Sequence, residues 1–196
     1  KPMFSEAGTN VIPLEQRSRR KWDNAVVADL DQDGHMDLLL TEHSLEAKVF
    51  WNNGGKFSAP LTVVRGDTHG VAAGDYDQDG LMDLIIYHGG GGGTKPRNPI
   101  SFHVSNRSIE GGDEFEDFER SRGRAVKFID YDGDGRLDLV LSAFPLASQK
   151  EGCNQLFHNV GNGKFERVAR LPQAKWMGFR TLVTDFNNDG IPDLIF

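Results

Sequence analysis

The sequence predicts an all-β fold: a β-propeller of four-stranded blades, each with a metal loop between its first two strands (the A–B loops), the last blade incomplete. Three observations carry this. A nine-residue aspartate-rich loop recurs four times, short apolar runs flank every copy, and no convincing amphipathic helix falls between them.

The four loops align without gaps. The first holds Asp29, Asp31, Asp33, Gly34 and Asp37; the second Asp75, Asp77, Asp79, Gly80 and Asp83. The third holds Asp130, Asp132, Asp134, Gly135 and Asp138; the fourth Asp185, Asn187, Asp189, Gly190 and Asp193. Their starts are 46, 55 and 55 residues apart, close to the roughly 40–50 residues of a four-stranded blade. Before each loop lies a run such as Ala25–Ala28 or Val126–Ile129, and after each a run such as Leu38–Leu40 or Leu84–Ile86. Short Val/Ile/Leu runs bounded by turn residues read as buried strands. Asn and Gly between strand residues, at 52–55 and 159–163, then mark hairpins. Each repeat is therefore four strands in a meander. The repeats run approximately over 22–66, 67–121, 122–176 and 177–196, all within one domain spanning 1–196.

Carboxylates at loop positions 1, 3 and 5 converge on one point, and Gly at position 6 permits the sharp turn between them. The backbone carbonyl at position 7 (His35, Leu81, Arg136 and Ile191) and the Asp at position 9 complete an oxygen shell suited to Ca²⁺, which takes six to eight oxygen ligands. An EF-hand needs a Glu at position 12; here Leu40, Ile86, Leu141 and Phe196 stand there. Mg²⁺ avoids all-protein cages, and Zn²⁺ is disfavoured because no His or Cys lies at ligand spacing. About four structural Ca²⁺ ions are expected, the fourth bound more weakly because Asn187 replaces an Asp.

Charge supports local metal binding over a diffuse acidic surface. The net charge is −7, yet three loops hold four aspartates and the last holds three, so fifteen of the 29 acidic residues lie in them. The other 14 face 22 Lys and Arg. Nothing beyond these scattered basic residues points to nucleic acid. No run approaches the ~18 apolar residues of a membrane span. The single cysteine, Cys153, excludes an internal disulfide. The glycines at 89–93 with Thr94 and Lys95 lack the order and the following helix of a phosphate loop. The chain starts at Lys1 without an apolar leader and stops inside the second strand of the fourth repeat, so further blades or a partner chain are expected to complete the ring.

The D-x-D-x-D-G-x-x-D loop between strands, with the hairpin of Leu156–Phe165 behind it, resembles the FG-GAP/VCBS repeat family. This group includes the integrin α-subunit propeller and bacterial and cartilage-acidic-protein-like members. The resemblance covers residues 22–196 and implies a calcium-binding propeller. It leaves function open among adhesion, carbohydrate binding and polysaccharide cleavage.

Because successive strands alternate direction, the metal loops share one face with the outer hairpins. The other face carries the variable loops and the approaches to each first strand: Lys21, Trp22, Asp23, His69, Arg120, Arg122, Arg124, Trp176, Phe179 and Arg180. Variable loops on a rigid scaffold are where binding resides. Trp22, His69, Arg124, Trp176 and Arg180 are the candidate ligand contacts, since Arg pairs carboxylate or sulfate and an indole stacks on a sugar face. The expected function is a secreted, periplasmic or cell-surface module binding a glycan or an extracellular protein. The alternative is a polysaccharide lyase with a His or Tyr base.

Overall fold

The computed structural model describes residues 22–90, 95–115, 118, 120–146, 154–171 and 178–196. All regular structure there is β. The strands form three four-stranded antiparallel sheets and a two-stranded one, every sheet a meander of sequence neighbours. The first unit is β1 (Trp22–Ala28), β2 (Asp37–Glu42), β3 (Glu46–Phe50) and β4 (Leu61–Arg65). The second is β5 (Thr68–Gly74), β6 (Met82–His88), β7 (Ile100–Ser105) and β8 (Ser108–Glu114). The third is β9 (Arg122–Ile129), β10 (Asp138–Phe144), β11 (Gln155–Gly161) and β12 (Lys164–Arg170). The fourth is the pair β13 (Leu182–Thr184) and β14 (Asp193–Ile195). Strand order and loop positions follow the sequence expectation. No helix is long and apolar enough to cross a membrane among the described residues. Trp176, Lys21 and Cys153 lie outside the described residues.

The sheets stack face to face, and strand periodicity shows how. Successive side chains of a strand point to opposite faces. In β6, Leu84 and Ile86 join Leu39, Val49 and Val71 in a core shared with the first unit. Their neighbours Ile85 and Tyr87 join Val126, Leu139, Leu141 and Phe157 in a core shared with the third. Strand β6 is thus buried on both faces, which is why it reads as a continuous apolar run rather than an alternating one.

The first strands of the units lie side by side, β1 against β5 and β5 against β9. Gly70 is where β5 and β9 touch. A Cβ there would stand 2.8 Å from Val126 N and 2.9 Å from the Ala125 carbonyl carbon. Those neighbours are backbone and cannot swing aside. Gly70→Ala is therefore expected to destabilise the protein by about 1–3 kcal/mol through overpacking, read as a lower denaturant midpoint in calcium. An unchanged midpoint would mean that the two strands separate without cost.

One irregularity repeats. The register of each first strand slips against its neighbour by a β-bulge, at Asp23 in β1, His69 in β5 and Arg124 in β9. Each lies six residues before the first Asp of its loop. Phe179 holds that place in the fourth unit.

Candidate functional site

Two sets of chemically active residues stand at opposite ends of the first strands, roughly 20 Å apart for seven residues of strand.

At one end are the acidic loops. In each, the position-1 carboxylate accepts from the N–H groups of positions 5 and 6. Asp29 takes Asp33 N at 3.0 Å and Gly34 N at 2.9 Å. Asp75, Asp130 and Asp185 repeat the pair at 2.9–3.1 Å. The position-5 carboxylate accepts from the N–H of position 7 at 2.8–2.9 Å in all four. Position 6 is left-handed throughout, and so is position 4, at Gln32, Gln78, Gly133 and Asn188. Both Gln side chains are put to use across units. Gln32 Nε2 donates to Gly80 O at 2.8 Å and Gln78 Nε2 to Gly135 O at 3.3 Å.

The position-9 aspartates Asp37, Asp83 and Asp138 are fully buried. One oxygen of each accepts the N–H of position 2, at Leu30, Tyr76 and Tyr131. The other faces the third strand of the unit or the residues just after it: Asn52 N at 2.7 Å, His103 Nδ1 at 2.7 Å, and both His158 Nδ1 at 3.1 Å and Asn159 N at 2.7 Å. Burial pushes the Asp83 carboxyl up to about 6 despite the hydrogen bonds from Tyr76 N–H and His103.

These residues suit a hard dication. The carboxylates of Asp29, Asp31 and Asp33 bring oxygens within 4.8 Å of one another, as do those of Asp75, Asp77 and Asp79. The first loop has a complication: Arg107, from the β7–β8 turn, pairs with Asp31 and lies 2.8 Å from Asp33.

At the other end the three bulge residues and the aligned Phe179 converge. Asp23, His69, Arg124 and Phe179 line a pocket of about 250 Å³ together with Trp22 and His43. His69 is buried with both ring nitrogens engaged. Its Nδ1 contacts Asp23, while its Nε2 lies 3.1 Å from Asp67 Oδ2 and 3.3 Å from His43 Nδ1. Burial raises the Asp23 carboxyl, but His69, Arg180 and Arg124 outweigh this and hold it below the ordinary carboxylate range. Arg180 reaches Asp23 at 3.1 Å. Arg124 is 7% exposed, stands over the Phe144 ring, and its Nε has no hydrogen-bond partner among the described residues. Two larger hollows lie away from the first strands, one of about 420 Å³ near Phe115 and Phe165 and one of about 570 Å³ at Arg97, Asp113, Glu114 and Arg120.

A profile of the FG-GAP-like repeat matches residues 29–86 and 130–196, which contain all four loops. The chain belongs to the FG-GAP-like repeat family. No curated protein matches it. Asp23 and Arg124 lie outside the stretches matched to the FG-GAP-like repeat, so the pocket is not a property of the repeat motif alone.

Of the sequence-derived ligand candidates, Trp22, His69 and Arg124 meet at the pocket. Arg180 does not line it; Phe179 takes the place equivalent to His69 and Arg124, because the bulge falls six residues before the loop rather than five. Trp22 also packs edge-on against Phe50. His43, Asp67, Arg107, His103 and His158 were not singled out by sequence. The two loop histidines were legible in principle, since both follow the aligned Phe102 and Phe157 of the third strand.

Proposed function

We propose that this chain is the repeat-bearing part of an extracellular, calcium-stabilised β-propeller that binds a glycan or protein partner at the pocket opposite its calcium loops. The observation carrying this reading is the convergence of Asp23, His69, Arg124 and Phe179, one residue from each repeat, on a single pocket. Stacked sheets that meet along their first strands support the propeller. Exposed apolar side chains on the outer units, Val27 at one end and Leu182 and Ile195 at the other, support further repeats or a partner chain covering them.

Calcium rests on the oxygen-only donor sets at positions 1, 3, 5 and 9. The acidic-ligand preference rests on Arg124, whose side chain lines the pocket and suits a carboxylate or sulfate. The lyase alternative finds less support, because both ring nitrogens of His69 are engaged and neither is free to take a proton from a substrate.

The test is binding of uronate and sulfated oligosaccharides to the calcium-loaded protein. Arg124→Ala should weaken binding by about 1.5–3 kcal/mol, the range for a charge-assisted hydrogen bond, without changing calcium affinity. A glycan array with no acidic ligand, or normal binding by the variant, would turn the reading towards protein docking.

The loops themselves carry a second expectation. Hydrogen bonding to Asp31 holds the Arg107 guanidinium above its ordinary range, and this cation competes with any ion in the first loop. Arg107→Ala is expected to tighten the first calcium site severalfold and leave the other three unchanged, measured by calorimetric titration. An equal or weaker first site in the variant would show that Arg107 supports the loop rather than blocking it.

A further inference from the structure

We infer that the second and third loops take a borderline transition-metal dication in preference to Ca²⁺, His103 and His158 each adding an imidazole nitrogen to the carboxylate oxygens. The inference rests on the proposed reading of the loops as cation sites and adds a second kind of donor to two of them. Strand pairing places the donor. In each four-stranded unit the residue after the position-9 aspartate pairs with a phenylalanine of the third strand: Leu38 with Phe50, Leu84 with Phe102 and Leu139 with Phe157. The residue following that phenylalanine therefore stands beside the loop. It is Trp51 in the first unit, His103 in the second and His158 in the third. Each histidine lies 20 residues from its aspartate, Asp83 or Asp138. That is too far for a local motif, but the strand register fixes it.

The distances are those of one coordination sphere. His103 Nδ1 is 2.7 Å from Asp83 Oδ1 and 4.0 Å from Asp77 Oδ2, and ligand atoms of the three residues all lie within 4.8 Å of one another. An octahedron with bonds of about 2.1 Å sets neighbouring ligands about 3.0 Å apart and opposite ones about 4.2 Å apart. Among the described residues no other donor holds either oxygen, because Tyr76 N takes Asp83 Oδ2 and Asp79 N takes Asp77 Oδ1. Asp77 also groups with Asp75 and Asp79, so the nitrogen joins the loop's own ion site. As a ligand, Nδ1 presents its lone pair and the ring proton sits on Nε2. That atom has no hydrogen-bond partner among the described residues, and the ring is 42% exposed. The third unit repeats the arrangement, with His158 Nδ1 at 3.1 Å from Asp138 Oδ1 and 3.4 Å from Asp132 Oδ2. There Asn159 N also holds Asp138 Oδ1 and Arg136 pairs with Asp134, so the third loop should bind more weakly than the second. Ca²⁺ takes oxygen ligands. Imidazole suits the later first-row metals, and affinity rises towards them along the Irving–Williams order. In the first unit Trp51 offers no such nitrogen.

The test titrates Co²⁺ into the calcium-loaded full chain. The first equivalent should displace Ca²⁺ and give, in the proton NMR spectrum, a paramagnetically shifted imidazole N–H that exchanges in D₂O, the signature of a histidine bound directly to Co²⁺. A further equivalent should add a second such signal from the third loop. His103→Gln should remove the first signal and weaken the tighter Co²⁺ site by at least about tenfold, since loss of even an outer partner of a metal costs that much. Glutamine can still donate an N–H to Asp83, so Ca²⁺ affinity should hold, and an unchanged melting temperature in calcium verifies the fold. Independently of any variant, X-ray absorption of the wild type with one equivalent of Co²⁺ should show imidazole scattering. Failure of Co²⁺ to displace Ca²⁺, Co²⁺ bound without a shifted imidazole N–H, or equal Co²⁺ affinity in His103→Gln would overturn the nitrogen ligand. Those results leave the calcium reading standing, because that reading fails on a different measurement, a melt in calcium that chelation does not change.

Discussion

Chelating divalent cations is expected to lower the melting temperature by at least about 5–10 °C. A ligand bound only by the native state contributes about 2.7 kcal/mol at a hundredfold excess over its dissociation constant. For a domain of this size each kcal/mol moves the midpoint by about 2–4 °C, so a single site accounts for that shift and four would exceed it. The physical reason lies in the loops. Without an ion, Asp75, Asp77 and Asp79 hold like charges within 4.8 Å of one another, and opening the turn that joins the first two strands of the unit relieves the repulsion. Differential scanning calorimetry with calcium and with EDTA measures the difference. An unchanged melt, with the ions shown to have left, would refute a structural role for calcium.

Asp138→Ala should cost about 3–5 kcal/mol, more than any other single carboxylate substitution in the loops. The side chain is fully buried and receives Tyr131 N at 3.1 Å, Asn159 N at 2.7 Å and His158 Nδ1 at 3.1 Å. Truncation strands these donors, and each buried donor left unpaired costs about 1–3 kcal/mol. Unlike a pure metal ligand, Asp138 ties the loop to the third strand directly. Most of the loss should therefore persist in EDTA. Denaturant unfolding with and without calcium separates the two contributions; a loss confined to the calcium-loaded protein would make Asp138 a ligand and nothing more.

The loops were legible because their chemistry is local. Ligands, turn glycine and flanking strands all lie within one short stretch, so the alignment of four copies exposes them together. The left-handed residue at position 4 was half visible. Gly133 occupies that column, but Gln32, Gln78 and Asn188 take up the same left-handed conformation and so conceal the requirement. The pocket was harder. The bulge that aims Asp23, His69 and Arg124 at one point demands no particular residue type, and Phe179 holds the aligned place in the fourth unit, so the column shows four unlike residues and no pattern. His43 and His69 are 26 residues apart and Asp67 belongs to a turn of its own. Only the packing of the first unit on the second brings them together, and spacing in the chain carries no trace of that.

The hydrogen bonds from Gln32 to Gly80 and from Gln78 to Gly135 have a mechanical consequence. They couple each loop to the next in one direction, as rungs between nearest neighbours in a linear array. The third loop has Gly133 at the coupling position and no side chain to extend. The fourth repeat is held at the opposite end instead, where Ser142 Oγ and Thr181 Oγ1 stand 2.6 Å apart and Arg180 reaches Asp23 of the first repeat. Emptying the loops should therefore loosen the fourth loop from the third before it loosens the pocket end.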